Sequence, residues 1–385
     1  MRVSEIKRYY DVYSGWKAAY WMKDIEKIRN GELIPPKLIQ AHPEAWCNHD
    51  CFFCAYRNSC WQYHGMEFFG EWASEKDRIP KQTGKPKGRL IPGVSDWPKE
   101  IALSLPKQME EEGVKACEIT GSGEPLLYPY IKEFIDKLVK HNIEIALVTN
   151  GQFLTKDILD RLNNVRWIRF SIDAATAKTH AKVHGVSEHV FPMVIKNLEQ
   201  TIERNFDDCL IGVSYIITKY NIDEIYEAAL KYKEMGVDNI RFSFQYEPTG
   251  TAGLTDEEKE RARKLLLKAR ELSDSKFRVF GMVERLETFA KPNIDFTFCG
   301  YQFFTWSLGY DCKFYPCCIQ IYNKGYAFGD LKKQSLHEII YGEERRKYIE
   351  NFDVRKCHNC WLRDRNIAIE TLIAPEKRLG HVNFV

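Results

Sequence analysis

The chain has 385 residues, 44% of them hydrophobic, which is enough for one large domain with a substantial core and a smaller module. Its 56 Lys and Arg residues nearly balance its 54 Asp and Glu residues, and this charge of +2 gives no reason to expect a nucleic acid or an anionic membrane as partner. The N-terminal run MRVSEIKRYYDVY lacks the apolar core of a signal peptide, and no apolar run is long enough for a membrane span. Because the 12 cysteines fall largely at the spacings of metal ligands, we expect a reducing, cytoplasmic location rather than a disulfide-stabilised secreted domain.

Short apolar runs alternate with amphipathic helical patterns through the middle of the chain, which predicts parallel strands joined by crossover helices. Strands are predicted at residues 38–42, 116–120, 143–149, 167–172, 210–217 and 239–244. Helices are predicted near residues 99–112, 128–141, 155–163, 190–204, 222–235 and 255–272. These repeated units predict the α/β class and a partial (β/α)6 barrel. In such folds the loops at the carboxyl ends of the strands carry the chemistry, because helix N-termini and free backbone amides converge there.

The most informative motif follows the first predicted strand. Cys47, Cys51 and Cys54, in the run WCNHDCFFCAYR, are separated by three and then by two residues. Three thiolates on one short loop are suited to hold three irons of a 4Fe-4S cluster and to leave the fourth iron open for another ligand. A zinc site or a few buried thiols is the alternative.

This cysteine spacing resembles that of the radical S-adenosylmethionine (SAM) superfamily, whose members chelate the open iron with the methionine amine and carboxylate of SAM. The aromatic Phe53, just before the last cysteine, also fits the family. The resemblance implies a radical SAM core barrel over residues 1–275 and a smaller C-terminal domain over residues 276–385. An insertion at about 61–97 combines aromatic residues with Lys, Pro and Gly, and is either a lid or substrate-contact segment or a flexible surface loop.

The end of the second strand matches a further motif of the superfamily. The family's Gly-Gly-Glu-Pro motif, whose backbone carbonyls receive the methionine amine, falls on Ser122, Gly123, Glu124 and Pro125. Serine therefore replaces the first glycine. A purely structural turn would use the same residue types.

The ends of the third, fourth and sixth strands also bear on SAM binding. Asn150 lies in a Thr-Asn-Gly run that the family often has after the third strand, although an ordinary turn has the same signature. The resemblance implies that Ser171 and Asp173 bind the ribose hydroxyls, and a helix cap is an equally good explanation of Asp173. Phe242 and Phe244 either flank the adenine or belong to the core.

A second group of cysteines lies in the C-terminal third. Its segment DCKFYPCC, followed by AFGDLKKQSLHEII, resembles the SPASM and twitch extensions of radical SAM enzymes, which bind auxiliary 4Fe-4S clusters. Aligned on that pattern, the ligands are Cys299, Cys317, Cys357 and Cys360, whereas Cys312 falls where the family usually has glycine. With no cysteine after Cys360, the count favours the shorter twitch form with one auxiliary cluster. Zinc stays open as the metal, because four thiolates do not distinguish it from a cluster.

Together the two sites imply reductive cleavage of SAM to a 5'-deoxyadenosyl radical, which takes hydrogen from a substrate C–H bond. An auxiliary cluster with four protein thiolates has no open site, so we expect it to accept or relay an electron. This favours an oxidoreductase that oxidises a small polar substrate such as a sugar or an aminocyclitol. An electron donor such as flavodoxin or ferredoxin is expected as a partner.

Three alternatives remain. One is a peptide maturase acting on a ribosomally made precursor, although only 46 residues precede Cys47, too few for a leader-binding winged-helix domain. Another is a radical epimerase in which Cys312, Cys318 or Cys60 returns the hydrogen. The third is a degenerate iron–sulfur binding protein without activity, which the complete cysteine motif disfavours.

Overall fold

The computed structural model describes residues 13–54, 56, 96–244, 254–281, 294–323, 325–357 and 360–379. Cys60 lies outside the described residues, and so does the predicted insertion at about 61–97 except for Asp96 and Trp97. None of the described helices has the length and hydrophobicity that are needed to cross a membrane.

The described strands form a single sheet. They are β1 (Leu38–Ala41), β2 (Ala116–Ile119), β3 (Glu144–Thr149), β4 (Val165–Ser171), β5 (Leu210–Ile217), β6 (Asn239–Phe244), β7 (Arg278–Gly281), β8 (Thr305–Leu308), β9 (Lys313–Tyr315) and β10 (Gly329–Asp330). Their order is β10-β9-β8-β1-β2-β3-β4-β5-β6-β7. Strands β1 to β6 are adjacent in chain order and parallel throughout, as predicted for the barrel. Within the described sheet β1 and β6 do not pair with each other, so the barrel is partial.

Helices connect and flank these strands. They are α1 (Met22–Arg29), α2 (Lys99–Glu112), α3 (Ile131–Lys140), α4 (Lys156–Arg161), α5 (Ala177–His184), α6 (Val190–Glu203), α7 (Ile225–Met235), α8 (Asp256–Arg270), α9 (Tyr301–Phe304), α10 (Leu336–Tyr341), α11 (Glu343–Asn351), α12 (Arg363–Ile373) and α13 (Pro375–Leu379). The predicted helices correspond to α2, α3, α4, α6, α7 and α8. Helix α5 has no counterpart in the prediction, because its buried face carries His180 and His184 and so lacks an apolar stripe.

The C-terminal region extends the sheet on the free side of β1. Strand β8 pairs in parallel with β1, with Ile39 opposite Trp306, and β9 and β10 continue as antiparallel strands. On the opposite side, β7 pairs with β6, although it lies beyond the predicted boundary at residue 275. The division of the chain into two domains at that residue stays a prediction.

The two faces of the sheet differ in polarity because side chains alternate along each strand. One face packs against the helices and forms the main hydrophobic core, which includes Phe242 and Phe244 as core side chains. The residues that alternate with this core face the barrel interior, and we call that surface the inner face. Its polar members include Gln40, Glu118, Arg169, Arg241 and Ser307.

Candidate functional site

The predicted cysteine motif lies on the loop that follows β1, here called the cysteine loop (residues 42–54). The loop after β2 runs alongside it, because the Gly123 amide donates to the Glu44 carbonyl at 3.0 Å and the Glu124 amide donates to the Trp46 carbonyl at 2.9 Å. A Cβ atom on Gly123 would lie 1.9 Å from the Trp46 carbonyl oxygen, so this close approach requires glycine. The two loops that the sequence assigned to the cluster and to SAM are therefore in backbone contact.

Glu124 joins the loop after β2 to the end of β3. Its carboxylate is buried and accepts hydrogen bonds from the Thr149 hydroxyl at 2.6 Å and from the Asn150 amide at 2.8 Å. Burial raises the pKa of this carboxyl group to about 7, and the two hydrogen bonds oppose that rise. Pro125 begins a short 3-10 turn, which Glu124 caps through the Leu126 amide.

Asn150 in turn holds the cysteine loop through a chain of side-chain amides. The Gln152 backbone amide donates to the Asn150 side-chain oxygen at 3.0 Å, and the Asn150 side chain donates to Asn48 at 2.8 Å. Asn48 then donates to the Gln152 side-chain oxygen at 2.6 Å. Because a backbone N–H can only donate, the orientation of all three side-chain amides is fixed.

Ser122 stands where the family has glycine, and its side chain contacts the C-terminal region. Its hydroxyl forms a short hydrogen bond with the Tyr322 hydroxyl and lies 3.3 Å from Nδ1 of His42. The Tyr322 hydroxyl also accepts from the Tyr310 amide at 3.1 Å. The departure from glycine therefore supplies a side chain that links the predicted SAM motif to the C-terminal region.

Ser171 and Asp173 lie at the end of β4, as predicted, but their contacts differ. Ser171 is the last residue of the strand and lies opposite Ser214 on the inner face. Asp173 is buried, accepts from the Ile216 amide and lies 3.1 Å from Nε2 of His184. The side chain that caps α5 belongs to Thr176, so the helix-cap explanation of Asp173 is wrong. The ribose contacts stay predictions, and both carboxylate oxygens of Asp173 already have protein partners.

The cysteines of the first motif contact backbone groups and histidine. The Cys47 sulfur accepts from the His49 amide at 3.4 Å, the Cys54 amide donates to the Cys51 carbonyl at 3.1 Å, and Cys51 Sγ lies 3.1 Å from Nδ1 of His184. The Phe53 ring lies 6.1 Å from the ring of His184. No cysteine in the described part of the chain forms a disulfide. Three thiols on one loop, none of them in a disulfide, fit a cluster with one open iron.

His49, His180 and His184 are functional candidates that the sequence analysis did not single out. The three imidazoles are buried, and one nitrogen atom of each ring lies within 4.8 Å of one nitrogen atom of each of the other two. A histidine inside the cysteine motif and a pair of histidines four residues apart are the signals that would have found them.

The predicted auxiliary ligands Cys299, Cys317, Cys357 and Cys360 all line one cavity that is partly open to solvent. Burial is the main cause that raises the pKa of the Cys299, Cys317 and Cys357 thiols. For Cys299 and Cys317 the neighbouring cysteines add to the rise, because thiolates packed this closely repel each other unless a metal compensates them. This donor set fits a fully ligated iron–sulfur cluster.

Two side-chain amides also point at sulfur atoms of this cavity. Gln320 donates to Cys357 Sγ at 3.5 Å, and Asn366 donates to Cys360 Sγ at 3.6 Å. Hydrogen bonds to ligating sulfurs are typical of iron–sulfur sites.

Cys312 and Cys318 are not among the residues that line this cavity. Cys312 is fully buried in the main core and has a φ of +66°, a conformation that explains why the family usually has glycine there. Burial raises the pKa of Cys318 to about 11, the charge of Glu118 adds to the rise, and the charges of Arg365 and Arg241 oppose it. Glu118 and Arg241 lie on the inner face of the sheet.

Comparison with known proteins identifies both regions of the chain. The profile of the radical SAM superfamily matches residues 44–231, and that of the SPASM iron–sulfur cluster-binding domain matches residues 299–361.

The curated relatives match this chain over part of their length. The S-adenosyl-L-methionine-dependent tRNA 4-demethylwyosine synthase TYW1 of Mus musculus is 28% identical over 174 residues, which cover 43% of this chain and 23% of the relative. The S-adenosylmethionine-dependent nucleotide dehydratase of Flammeovirga pacifica is 28% identical over 204 residues, which cover 52% of this chain and 60% of the relative. The chain thus spans less than two thirds of either relative.

Solved structures share the fold over most of the chain. Streptococcus suis SuiB bound to S-adenosylmethionine has a TM-score of 0.60 at 17% identity, and the match covers 88% of this chain and 74% of SuiB. Native anSMEcpe with bound AdoMet has a TM-score of 0.57 at 15% identity, over 90% of this chain and 99% of anSMEcpe. The α/β barrel and its C-terminal extension are thereby shown. The chain therefore belongs to the radical SAM superfamily and has a C-terminal SPASM-type domain, so that SAM, a SAM-binding 4Fe-4S cluster and an auxiliary iron–sulfur cluster are its cofactors.

Proposed function

We propose that this radical SAM enzyme catalyses the net two-electron oxidation of a small polar substrate that binds against the inner face of the sheet. When bound, SAM and its cluster supply the radical that removes hydrogen, and the auxiliary cluster supplies an electron acceptor. The chain's own residues bind the substrate, orient the reacting carbon and exclude water.

A polar network on the inner face is the observation that carries this proposal. Gln40 donates to Glu118 at 3.1 Å and accepts from the Ser307 hydroxyl at 2.9 Å, while an Arg169 nitrogen lies 3.9 Å from Glu118. Glu118 and Arg169 are only 12% and 15% exposed. A surface with this many donors and acceptors favours a ligand rich in hydroxyl or amino groups, such as a sugar or an aminocyclitol.

The auxiliary site supports oxidation because its four cysteines would hold an electron acceptor in the same chain. Cys317 lines the auxiliary cavity, and burial, together with the charge of Glu118 on the inner face, raises the pKa of the next residue, Cys318.

The reconstituted enzyme, kept anaerobic with SAM and a reductant, tests the proposal directly. We expect sugars or aminocyclitols, and not peptides, to raise 5'-deoxyadenosine formation above its substrate-free rate. A substrate deuterated at the reacting carbon should place one deuterium in 5'-deoxyadenosine, and the product of the unlabelled substrate should be lighter by two hydrogens. A product of unchanged mass with one solvent deuterium would instead mean epimerisation, and stimulation by peptides alone would mean peptide maturation.

Substitutions on the inner face give the first prediction. Glu118→Gln and Arg169→Met should each raise KM roughly tenfold to a hundredfold, because a hydrogen bond to a charged group contributes about 1.5 to 3 kcal/mol. Substrate-free SAM cleavage should not change. Arg166→Met is the matched control, since Arg166 lies on the same strand with a side chain that is 41% exposed and paired with Glu144. Equal KM values in all three variants and the wild type would contradict the proposed binding surface.

A further inference from the structure

The outer side of helix α5 carries two lysines. Lys178 and Lys182 are four residues apart, so they lie on the same side of the helix, and both are exposed. The buried side of the helix carries His180 and His184, and the His184 ring lies 5.1 Å from that of His49 in the cysteine loop. The helix therefore faces the cysteine loop on one side and solvent on the other.

Two residues that follow β5 extend this exposed surface. Lys219 and Tyr220 are both exposed. The centre of the Tyr220 ring lies 4.0 Å from Nζ of Lys182 and 5.2 Å from Nζ of Lys219, so both ammonium groups are held at the aromatic ring. We call Lys178, Lys182, Lys219 and Tyr220 the basic patch.

Aromatic rings connect the basic patch to the cysteine loop. The Tyr220 ring packs edge-to-face on Phe52 with centroids 5.0 Å apart, and Phe52 packs on Phe53 at 5.5 Å. Phe52 directly follows Cys51, and Phe53 directly precedes Cys54. A molecule that docked on Tyr220 would therefore be separated from the loop of the SAM-binding cluster by little more than this ring.

The positive charge of the basic patch is not compensated by the described part of the chain. None of its three lysines forms an ion pair with a described carboxylate. Glu224, near the start of the same helix, accepts instead from the hydroxyls of Thr176 and Thr179. Because the whole chain has a formal charge of only +2, the patch is a local feature. Such a surface, with an exposed aromatic ring at its centre, favours an acidic protein as partner.

We propose that the basic patch is the docking surface of an acidic electron-carrier protein, which reduces the SAM-binding cluster. Reductive cleavage of SAM needs one electron on that cluster, so a carrier of the flavodoxin or ferredoxin class would be oxidised by one electron as the cluster is reduced by one. The inference does not depend on the substrate, so it stands or falls independently of the proposed oxidation.

The first test measures how fast an acidic flavodoxin, in its hydroquinone form, reduces the first cluster of the reconstituted enzyme. Samples frozen rapidly under anaerobic conditions at low ionic strength are followed by electron paramagnetic resonance. We expect Lys178→Gln with Lys182→Gln to lower the second-order rate constant about tenfold, because electrostatic steering raises association rates by roughly 10-fold to 1,000-fold. Added salt should slow the wild type and narrow this difference, because it screens exposed charges.

Lys23→Gln with Lys27→Gln is the matched control. These two lysines are also exposed and four residues apart on an eight-residue helix, α1, whose buried side packs with Ile369 in the C-terminal region. The control should keep the wild-type rate constant, and equal rate constants in the two double variants would overturn the proposal. Reduction by dithionite needs no docking. A loss of rate with dithionite as large as that with flavodoxin would mean that the cluster itself had changed, which would overturn the proposal as well.

A second measurement needs no variant. The lysines of the wild-type holoenzyme are acetylated with and without excess flavodoxin, and the modified positions are identified by mass spectrometry. We expect flavodoxin to protect Lys178, Lys182 and Lys219 but not Lys23 and Lys27. Protection confined to other lysines would overturn the proposal. Protection of the basic patch by an RNA oligonucleotide and not by flavodoxin would assign it to a nucleic acid, and that result would overturn it too.

Discussion

Glu44 precedes the first cysteine by three residues, and its side chain is fully buried. One carboxylate oxygen accepts from the Trp46 amide at 2.8 Å, and the other has no partner among the described residues. Burial raises the pKa of Glu44 to about 8, and the nearby charge of Asp96 adds to the rise. Near neutral pH this carboxyl group is mostly protonated. The start of the cysteine loop therefore contains a buried, uncharged carboxyl group that accepts from the Trp46 amide.

The raised pKa predicts a dependence of stability on pH. Below pH 4.5, its ordinary pKa, Glu44 is protonated in both the folded and the unfolded protein. The stabilisation that comes from its raised pKa in the folded protein is then fully present. As the pH rises from about 4.5 to about 8, the unfolded side chain loses its proton before the folded one, so the free energy of unfolding falls by up to a few kcal/mol. Glu44→Gln keeps an acceptor for the Trp46 amide but does not ionise, so the variant should lack this loss.

We therefore expect the Tm of the anaerobic wild type to fall relative to that of Glu44→Gln between about pH 5 and pH 8, as followed by circular dichroism. Glu124 has a raised pKa in the same sense, but it is present in both proteins and its contribution cancels. Parallel Tm curves for the two proteins would show that Glu44 ionises normally.

At the scale of elements, the short helix α5 is fixed to the cysteine loop by its C-terminal end. The Asp50 amide donates to the His184 carbonyl at 2.8 Å, and Gly185 follows in the left-handed conformation with a φ of +61°. A Cβ atom on Gly185 would lie 2.4 Å from the Asp50 carbonyl oxygen. The position of this helix end therefore depends on glycine, both for its backbone conformation and for the close approach.

Gly185→Ala should disturb the first site and leave the auxiliary site intact. The left-handed conformation costs about 1 to 2 kcal/mol for a residue with a Cβ atom, and the clash adds displacement of the cysteine loop. We expect the variant to retain about four irons and to lose reductive SAM cleavage, as measured by iron analysis and 5'-deoxyadenosine release.

Gly236→Ala is the matched control for that variant. Gly236 ends α7 with a φ of +87°, but the nearest atom to an added Cβ is a methyl carbon of Ile202 at 3.9 Å. Gly236→Ala therefore introduces the same kind of backbone strain as Gly185→Ala but no clash. Equal iron loss in both variants would show that strain, and not contact with the cysteine loop, is responsible.

At the scale of the whole molecule, β1 lies between β2 of the barrel and β8 of the C-terminal region. The loop after β2 reaches the cysteine loop from one side, and β8 pairs with β1 on the other. The hydrogen bond between Ser122 and Tyr322 joins the two sides directly. The sites are therefore parts of one continuous structure, and each is predicted to have its own cysteines.

Substituting the cysteines of one site at a time should separate reductive SAM cleavage from substrate turnover. We expect about eight irons in the wild type. Cys51→Ala should abolish reductive SAM cleavage, whereas Cys357→Ala with Cys360→Ala should leave substrate-free cleavage and stop turnover, because only the first cluster binds SAM. Cys209→Ala, at a partly buried cysteine that lines neither site, should keep about eight irons.

Circular dichroism must accompany the double variant, because loss of a metal site can unfold the region around it. A wild-type content near four irons with one zinc would mean that the auxiliary site holds zinc. Wild-type 5'-deoxyadenosine release from Cys51→Ala would show that the first site is misplaced.

Local patterns in the sequence predicted the elements whose burial is regular. The apolar runs of β1 to β6 are bounded correctly to within two residues, because alternation and length are properties of a single segment. A family resemblance predicts that Cys299, Cys317, Cys357 and Cys360 are ligands of one auxiliary site. The structure brings all four to one cavity.

Features that depend on distant partners were missed for a physical reason. Helix α5 buries histidines, whose polarity hides the helical period, and Cys51, which contacts His184, lies 133 residues away in the chain. The pairing of β8 with β1 likewise joins segments that no local pattern relates. Spacing and periodicity describe one segment at a time, and both of these contacts join segments far apart in the chain.

The pairing of β8 with β1 also has a consequence for synthesis. Gln40 and Ser307, which meet across these strands, are 267 residues apart, and a ribosome needs roughly 13 to 50 s to add that many residues. Throughout that time one edge of β1, and with it the start of the cysteine loop, lacks its final neighbour. An unpaired strand edge is a template for wrong pairing, so the nascent chain is most exposed to aggregation at the strand that later supports both cluster sites.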